Sequence, residues 1–247
     1  MQSTLLQSSA TRAGAGLHVA TIMDGSGRWA ERRGWPRAAG HRAGERAVRR
    51  VVEAAAEQGI GTLTLFAFSG SNWRRPPAES ARLMEIFRGF FDAQADSYCA
   101  QGVRVSVIGR RDRLPAPLLA SIERAERATV ACSKLRLRLA IDYSAREAVL
   151  DAATRLASSA NPTPHAFAQA LAEAIHETAP APDIDLLIRT GGEQRLSDCL
   201  LWEGAFAEIV FSDCLWPDFG KAELAAVLAE FHRRERRFGG ISEAIAG

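Results

Sequence analysis

The run Asp24-Gly25-Ser26-Gly27-Arg28-Trp29, followed by Arg37 and Gly40-His41-Arg42, combines residue types that can hold an oxygen-rich anion. Glycines let backbone N–H groups approach an anion closely, and a helix opening after them turns its positive end to the same place. A diphosphate fits that description. A carboxylate repels phosphate, so Asp24 beside Arg28 makes most chemical sense as a ligand for a bridging cation such as Mg²⁺. The spacing is neither that of a P-loop, which needs GK[ST], nor GxGxxG. Taken alone, the run also suits a tight turn with a capping Asp and surface arginines, and both readings stay open.

A second group lies in Asp185-Leu186-Leu187-Ile188-Arg189-Thr190-Gly191-Gly192-Glu193-Gln194-Arg195-Leu196-Ser197. An apolar strand delivers Arg189 to its carboxyl end, and Arg195 and Ser197 follow a Gly-Gly turn. Two guanidiniums and a hydroxyl suit a second diphosphate cradle, because Arg makes bidentate contacts with phosphate oxygens. Ion pairs of Arg189 or Arg195 with Asp185, Glu193 or Asp198 are the plainer alternative. Leu83, Met84, Ile86, Phe87, Phe90 and Phe91 form one apolar helical stripe. Packed core is the commoner meaning of such a stripe, although a cavity wall has the same period. The basic run at 233–240 suits a helix C-terminus or an intersubunit phosphate contact. It is short, broken by Glu235 and poor in aromatic partners, so nucleic-acid binding is not expected. His18, His41, His165, His176 and His232 form no HExxH pattern. Cys99, Cys132, Cys199 and Cys214 form no CxxC pair, and no GxSxG element supports a covalent nucleophile.

These residues sit after short runs rich in Leu, Val and Ile at 17–23, 62–68, 103–108, 135–141, 184–188 and 207–211, separated by segments of helical spacing. That alternation predicts an α/β fold, a parallel sheet of about six strands with helical crossovers. Ligands in such sheets bind outside the carboxyl ends of the strands, which is where these loops lie. The 247 residues, 47% of them hydrophobic, can bury one sizeable core, and 31 basic against 29 acidic side chains make any anion site local. Residues 1–16 are expected to be a disordered leader and 17–247 one catalytic domain. Segments 158–164 and 180–183 are expected to be surface loops. With no apolar stretch long enough to span a bilayer, a soluble, cytoplasmic chain is expected, with at most peripheral contact at the inner membrane face.

Taken together, His18-Val19-Ala20-Thr21-Ile22-Met23 running into the Asp24 motif, Thr64-Leu65-Phe66-Ala67-Phe68-Ser69 with Asn72-Trp73 and Arg75-Pro76, and the 185–197 segment resemble the cis-prenyltransferase (undecaprenyl diphosphate synthase) family. Ala207-Glu208 and Leu215-Trp216-Pro217-Asp218-Phe219 extend the resemblance, which covers about residues 18–240. It implies a twisted, largely parallel sheet flanked by helices. It also implies a homodimer acting on isopentenyl diphosphate and an allylic diphosphate (dimethylallyl, geranyl or farnesyl). By this similarity Asp24 positions Mg²⁺, with Glu208 joining the metal site, including across the dimer. Gly25, Gly27, Arg28, Trp29, Arg37 and His41 serve the allylic diphosphate. Arg189, Arg195 and Ser197 serve that of isopentenyl diphosphate. Ser26, Ser69, Asn72 and Arg75 lie near the reacting carbons, Trp73 walls the pocket, and the helix over 80–91 lines a hydrocarbon tunnel.

The sequence departs from the family pattern at Ser26, where Asn is usual, and at Gly70-Ser71, where a Thr-Glu or Ser-Glu pair is usual. Asp142-Tyr143-Ser144-Ala145-Arg146 replaces Asn-Tyr-Gly-Gly-Arg. The phosphate and metal residues are intact. These changes border the condensation centre, so the alternative to regular elongation is a short-chain or irregular, lavandulyl-type coupling of five-carbon diphosphates. An accessory subunit without catalysis is a third expectation, disfavoured because Asp24, Arg28, Arg189, Arg195 and Glu208 all remain.

Overall fold

The structure, a computed structural model, describes residues 16–157, 159 and 162–236. Most of the expected leader, part of the 158–164 loop and the end of the basic run lie outside the described residues. Six strands form one parallel sheet: β1 (His18–Ile22), β2 (Thr62–Ser69), β3 (Val103–Ile108), β4 (Leu135–Tyr143), β5 (Leu186–Arg189) and β6 (Glu208–Phe211), in the order β3-β4-β2-β1-β5-β6. Every pairing is parallel. The expected α/β sheet is therefore present, with each apolar run becoming a strand.

The central strands β1 and β5 are buried along their whole length because both faces of the sheet are covered there, whereas the edge strands β3 and β6 keep exposed positions. Alternate β1 residues face opposite layers, Val19 joining one core and Ala20 and Ile22 the other. The first core is closed by α2 (Arg37–Glu57), α3 (Pro77–Ala100), α4 (Ala116–Thr129) and α7 (Lys221–Arg233). The second is closed by α5 (Ala145–Leu156) and α6 (Pro164–Ala174). Helix starts follow local chemistry. Pro77 opens α3 at the position where a missing N–H costs nothing, and the Ser144 hydroxyl caps α5 by accepting the Glu147 N–H at 3.2 Å.

The short helix α1 (Ser26–Glu31) packs on the start of α2. Any side chain at Gly40 would collide with the Ser26 carbonyl, so the two helices can meet this closely only with glycine there. In the sheet, β1 pairs with β2 on one side and β5 on the other, and the chain leaves these neighbours in opposite directions. The carboxyl ends of β1 and β5 thus flank a switch point, the usual ligand position in open α/β sheets. Among the described residues, no helix is long and apolar enough to cross a membrane.

Candidate active site

Ile22, the last residue of β1, pairs with Arg189, the last of β5, so the residues just beyond them meet. Asp24 is fixed there by its backbone. Its N–H donates to Thr190 Oγ1 (3.0 Å), and its carbonyl accepts from the Thr190 hydroxyl (2.8 Å) and the Trp216 N–H (3.0 Å). Gly25 then turns the chain at φ +105°, where a Cβ would also sit 2.7 Å from Leu215 Cδ2, and α1 begins. Ser26, Gly27 and Arg28 open that helix, so their N–H groups have no carbonyl of a preceding turn to bond.

The Asp24 carboxylate lies between two guanidiniums. Oδ1 accepts from Arg28 Nη2 at 3.1 Å and Oδ2 from Arg189 Nη2 at 2.8 Å. Arg28 also donates to the Gly191 carbonyl (2.8 Å), and the buried Arg189 donates to Ser197 Oγ (2.7 Å) and the Arg195 carbonyl. Partial burial pushes the Asp24 carboxyl up, but hydrogen bonds and charge from Arg189 and Arg28 outweigh it and hold the group below its ordinary value. Asp24 is thus charged at neutral pH. Each oxygen accepts one hydrogen bond and keeps lone-pair capacity, which suits a hard cation. Among the described residues no cluster of three His, Cys, Asp or Glu exists. The one carboxylate is a donor set compatible with Mg²⁺, which usually binds through one or two carboxylates and takes its other oxygens from elsewhere.

Beyond Asp24 the polar rim continues with Arg37 and His41 on α2 and Arg75 before α3. Gly27 makes room for Arg37, whose guanidinium occupies the space a side chain at 27 would need. His41 is pushed down chiefly by burial; Glu79 acts to raise it, and Arg75 and Arg37 lower it further. Below the rim opens a cavity of about 230 Å³. Asp24, Gly25, Ser26, Gly27, Arg28, Arg37, His41 and Arg75 line its polar end. Val48, Ala67, Leu83, Ile86, Phe87, Phe90, Phe91, Leu139 and Ile141 line its apolar part. The α3 stripe is thus partly wall and partly core: Phe90 and Phe91 pack edge to face at 5.4 Å and are both buried, while Met84 lies in the core away from the cavity.

Other expected residues lie outside the cavity lining. Trp29 is packed with Ala30, Ala43 and Leu215, its indole N–H donating to Asp218 at 2.6 Å. Asn72 caps the 3-10 turn over Gly70–Arg74 by accepting the Ser69 N–H at 3.0 Å, and Trp73 packs edge to face on Phe68. Arg189 pairs with Asp24 rather than with Asp185, Glu193 or Asp198, whereas the exposed Arg195 does pair with Glu193. Ser197, at φ +51°, reaches the site through Arg189. Glu208 pairs with Arg234 at 3.0 Å. It stands level with Leu186, three residues and about 10 Å upstream of the Arg189 row. Within one chain it is therefore remote from Asp24.

Sequence reasoning missed two groups, Thr190 and Glu79, and for Asp142 it gave the departure but not the partner. Thr190 is the hydroxyl that fixes Asp24, and nothing in its spacing marks it. Glu79 faces Arg75, Arg37 and His41; only its i,i+4 spacing from Arg75 was legible. Asp142 is buried at φ +53° and bonded to Arg113 (Nε–Oδ2 2.8 Å). A Cβ on Gly70 would lie 3.5 Å from Arg113 Nη2, 3.8 Å from Asp142 Oδ1 and 3.8 Å from Ser144 Cβ. Three of the positions that depart from the family pattern therefore adjoin one another.

Residues 22–239 match the prenyltransferase family model described as "Putative undecaprenyl diphosphate synthase". The chain belongs to this cis-prenyltransferase family. Isoprenyl transferase 1 of Bradyrhizobium diazoefficiens is 53% identical over 96% of this chain and 94% of its own length. The isoprenyl transferase of Caulobacter vibrioides is 46% identical over 94% and 92%. Among solved structures, lavandulyl diphosphate synthase from Lavandula x intermedia, in complex with dimethylallyl diphosphate, superposes with a TM-score of 0.84 at 33% identity, covering 91% of this chain and 98% of that one. A probable undecaprenyl diphosphate synthase from Campylobacter jejuni gives 0.74 at 31% identity, covering 92% and 99%. This membership makes the protein a prenyltransferase that condenses isoprenoid diphosphates, with the sheet and helices of that family.

Proposed function

We propose that this prenyltransferase is Mg²⁺-dependent and couples isopentenyl diphosphate to an allylic diphosphate in cis geometry, releasing diphosphate. The observation that carries this reading is the Asp24 carboxylate, bridged by Arg28 and Arg189 at the polar end of an apolar cavity. Asp24 would hold Mg²⁺, which when bound supplies charge stabilisation to the departing diphosphate. Gly25, Gly27, Arg28, Arg37 and His41 hold the allylic diphosphate, and their preorganised donors favour its charge as the carbon–oxygen bond breaks. The apolar walls contributed by α3 and β4 keep water from the cationic carbon. Arg189, with Ser197 and Arg195 around it, serves the second diphosphate. Ser69, Asn72 and Arg75 lie on the side where the proton is lost, and the Asn72 cap holds that turn in place.

A homodimer fits the same reading. Leu201, Trp202, Phe206 and Phe211 are exposed beside β6, the last strand of the sheet, and Phe206 is 70% exposed. A second copy seated on that edge would cover them and offer Glu208 to a site that its own chain leaves without it.

The test is incubation of the purified protein with isopentenyl diphosphate and dimethylallyl, geranyl or farnesyl diphosphate in turn, with Mg²⁺ or with a chelator, reading diphosphate release and product mass. Turnover with Mg²⁺ that the chelator abolishes is expected; no product from any pair would refute the reading. Irregular coupling is the second reading. It is favoured by the adjoining departures at Gly70, Asp142 and Ser144 and by the higher structural similarity to the lavandulyl enzyme. A branched product from dimethylallyl diphosphate alone, identified by NMR, would select it.

A further inference from the structure

The polar rim carries its own counter-ion. Glu79, in the first turn of α3, places Oε1 3.2 Å from Arg75 Nη1 and 3.9 Å from His41 Nε2, and Oε2 3.8 Å from Arg37 Nε. All three partners line the cavity, and Glu79 does not. Only the Arg75 contact is short enough to be a hydrogen bond. Arg37 is held by charge alone on this side, while His41, pushed down by burial and so uncharged at neutral pH, sits beside the carboxylate without a hydrogen bond; both keep their hydrogen-bonding capacity for a ligand. Arg37 is steadied from the other side by Glu31 Oε1 at 2.7 Å.

We propose that Glu79 is a displaceable counter-ion, gathering Arg37, His41 and Arg75 in the free enzyme and competing with a diphosphate for them, so that the diphosphate formed at each turnover leaves. This rests on the reading above, in which Arg37 and His41 hold the allylic diphosphate, with Arg75 lining the same cavity beside them. Two guanidiniums converging beside a neutral imidazole would repel each other and splay apart, so a carboxylate between them keeps the rim assembled. A diphosphate brings more charge and offers Arg the oxygens it prefers, so it outcompetes one carboxylate. The carboxylate stays beside the rim and tempers the grip. Glu79 is thus a positioning residue: it acts on substrate and product through the two arginines and His41, at a site where tight binding of the leaving group would slow the cycle.

The experiment is titration of inorganic pyrophosphate into wild type, Glu79→Gln and Glu79→Met, with steady-state kinetics and thermal melts alongside. Both variants remove the charge at similar size, and Gln keeps an acceptor for Arg75. About tenfold tighter pyrophosphate binding is expected, in line with the loss of one unit charge that lies within 4 Å of the rim's arginines. Inhibition by pyrophosphate should strengthen equally, and KM and kcat should fall together as release becomes limiting. Arg37→Met serves as the reference and should weaken pyrophosphate binding. If it weakens binding while neither Glu79 variant strengthens it, the counter-ion role is overturned. If Arg37→Met binds pyrophosphate like wild type, the rim is not the diphosphate site, and the proposal falls with the reading it rests on.

Discussion

Replacing Asp24 with Asn removes the charge between Arg28 and Arg189 and keeps the shape. Arg189 is only 4% exposed in its side chain, and its Nε already has no partner, so the loss leaves a buried guanidinium without its counter-charge, and the one acceptor oxygen of Asn cannot serve both arginines as the carboxylate does. Hydrogen bonds to charged groups contribute about 1.5–3 kcal/mol each. With Asp24 itself 29% exposed, the low end applies, and a total near 2–3 kcal/mol is reasonable for the two. At about 2–4 °C per kcal/mol for a chain of this size, melting should fall by about 4–12 °C at neutral pH. The sign with pH is fixed. A carboxyl held below its ordinary 3.8 contributes stability that is full above that value and lost as pH falls through the folded one, so wild type and variant should converge in acid. Turnover should drop by about 100- to 1,000-fold, the usual effect of losing one preorganised charge-stabilising group. Circular dichroism melts from neutral to acid pH and a diphosphate-release assay read both effects. A variant that melts like wild type and turns over at more than a tenth of its rate would refute the organising role given to Asp24.

Three further outcomes are expected. Ser26→Asn should shift product length or connectivity in mass spectra, because Ser26 Oγ lies where a Cβ on Gly44 would approach to 2.8 Å and a larger side chain must turn toward the cavity; an identical product profile removes Ser26 from the explanation. Phe90→Ala should lengthen the longest product made from farnesyl diphosphate while costing about 3–5 kcal/mol of stability, with Phe90→Leu as a milder version; unchanged lengths in both would show that the Phe90 side of the cavity does not limit the chain. Phe206→Glu should dissociate a dimer in sedimentation velocity, and wild type sedimenting as a monomer would dispose of the proposed edge contact.

Much of the fold was legible because the central strands β1 and β5 are buried on both faces and read as near-continuous apolar runs, while β3 and β4 still carry an apolar residue at every second position. The α3 stripe shows the limit. Phe90 faces the cavity and Met84 packs in the core, yet both satisfy one helical period, since burial by neighbours and burial around a hollow impose the same pattern. The Asp24 loop was found because its Gly, Asp and Arg residues are adjacent in the chain. Thr190 and the pairing of Glu79 with Arg37 and His41 were hidden because they depend on how distant segments converge. For Arg195 and Trp29 residue type alone did not give the partners seen, Glu193 for one and the small core around Leu215 for the other.

The two charged partners at the heart of the site are 165 residues apart in the chain. A ribosome has therefore made most of the protein before Arg189 exists to meet Asp24. A polypeptide released early would carry the aspartate loop and the greasy helix yet lack the second arginine, so truncation would yield an inert fragment rather than one that squanders activated isoprenoids.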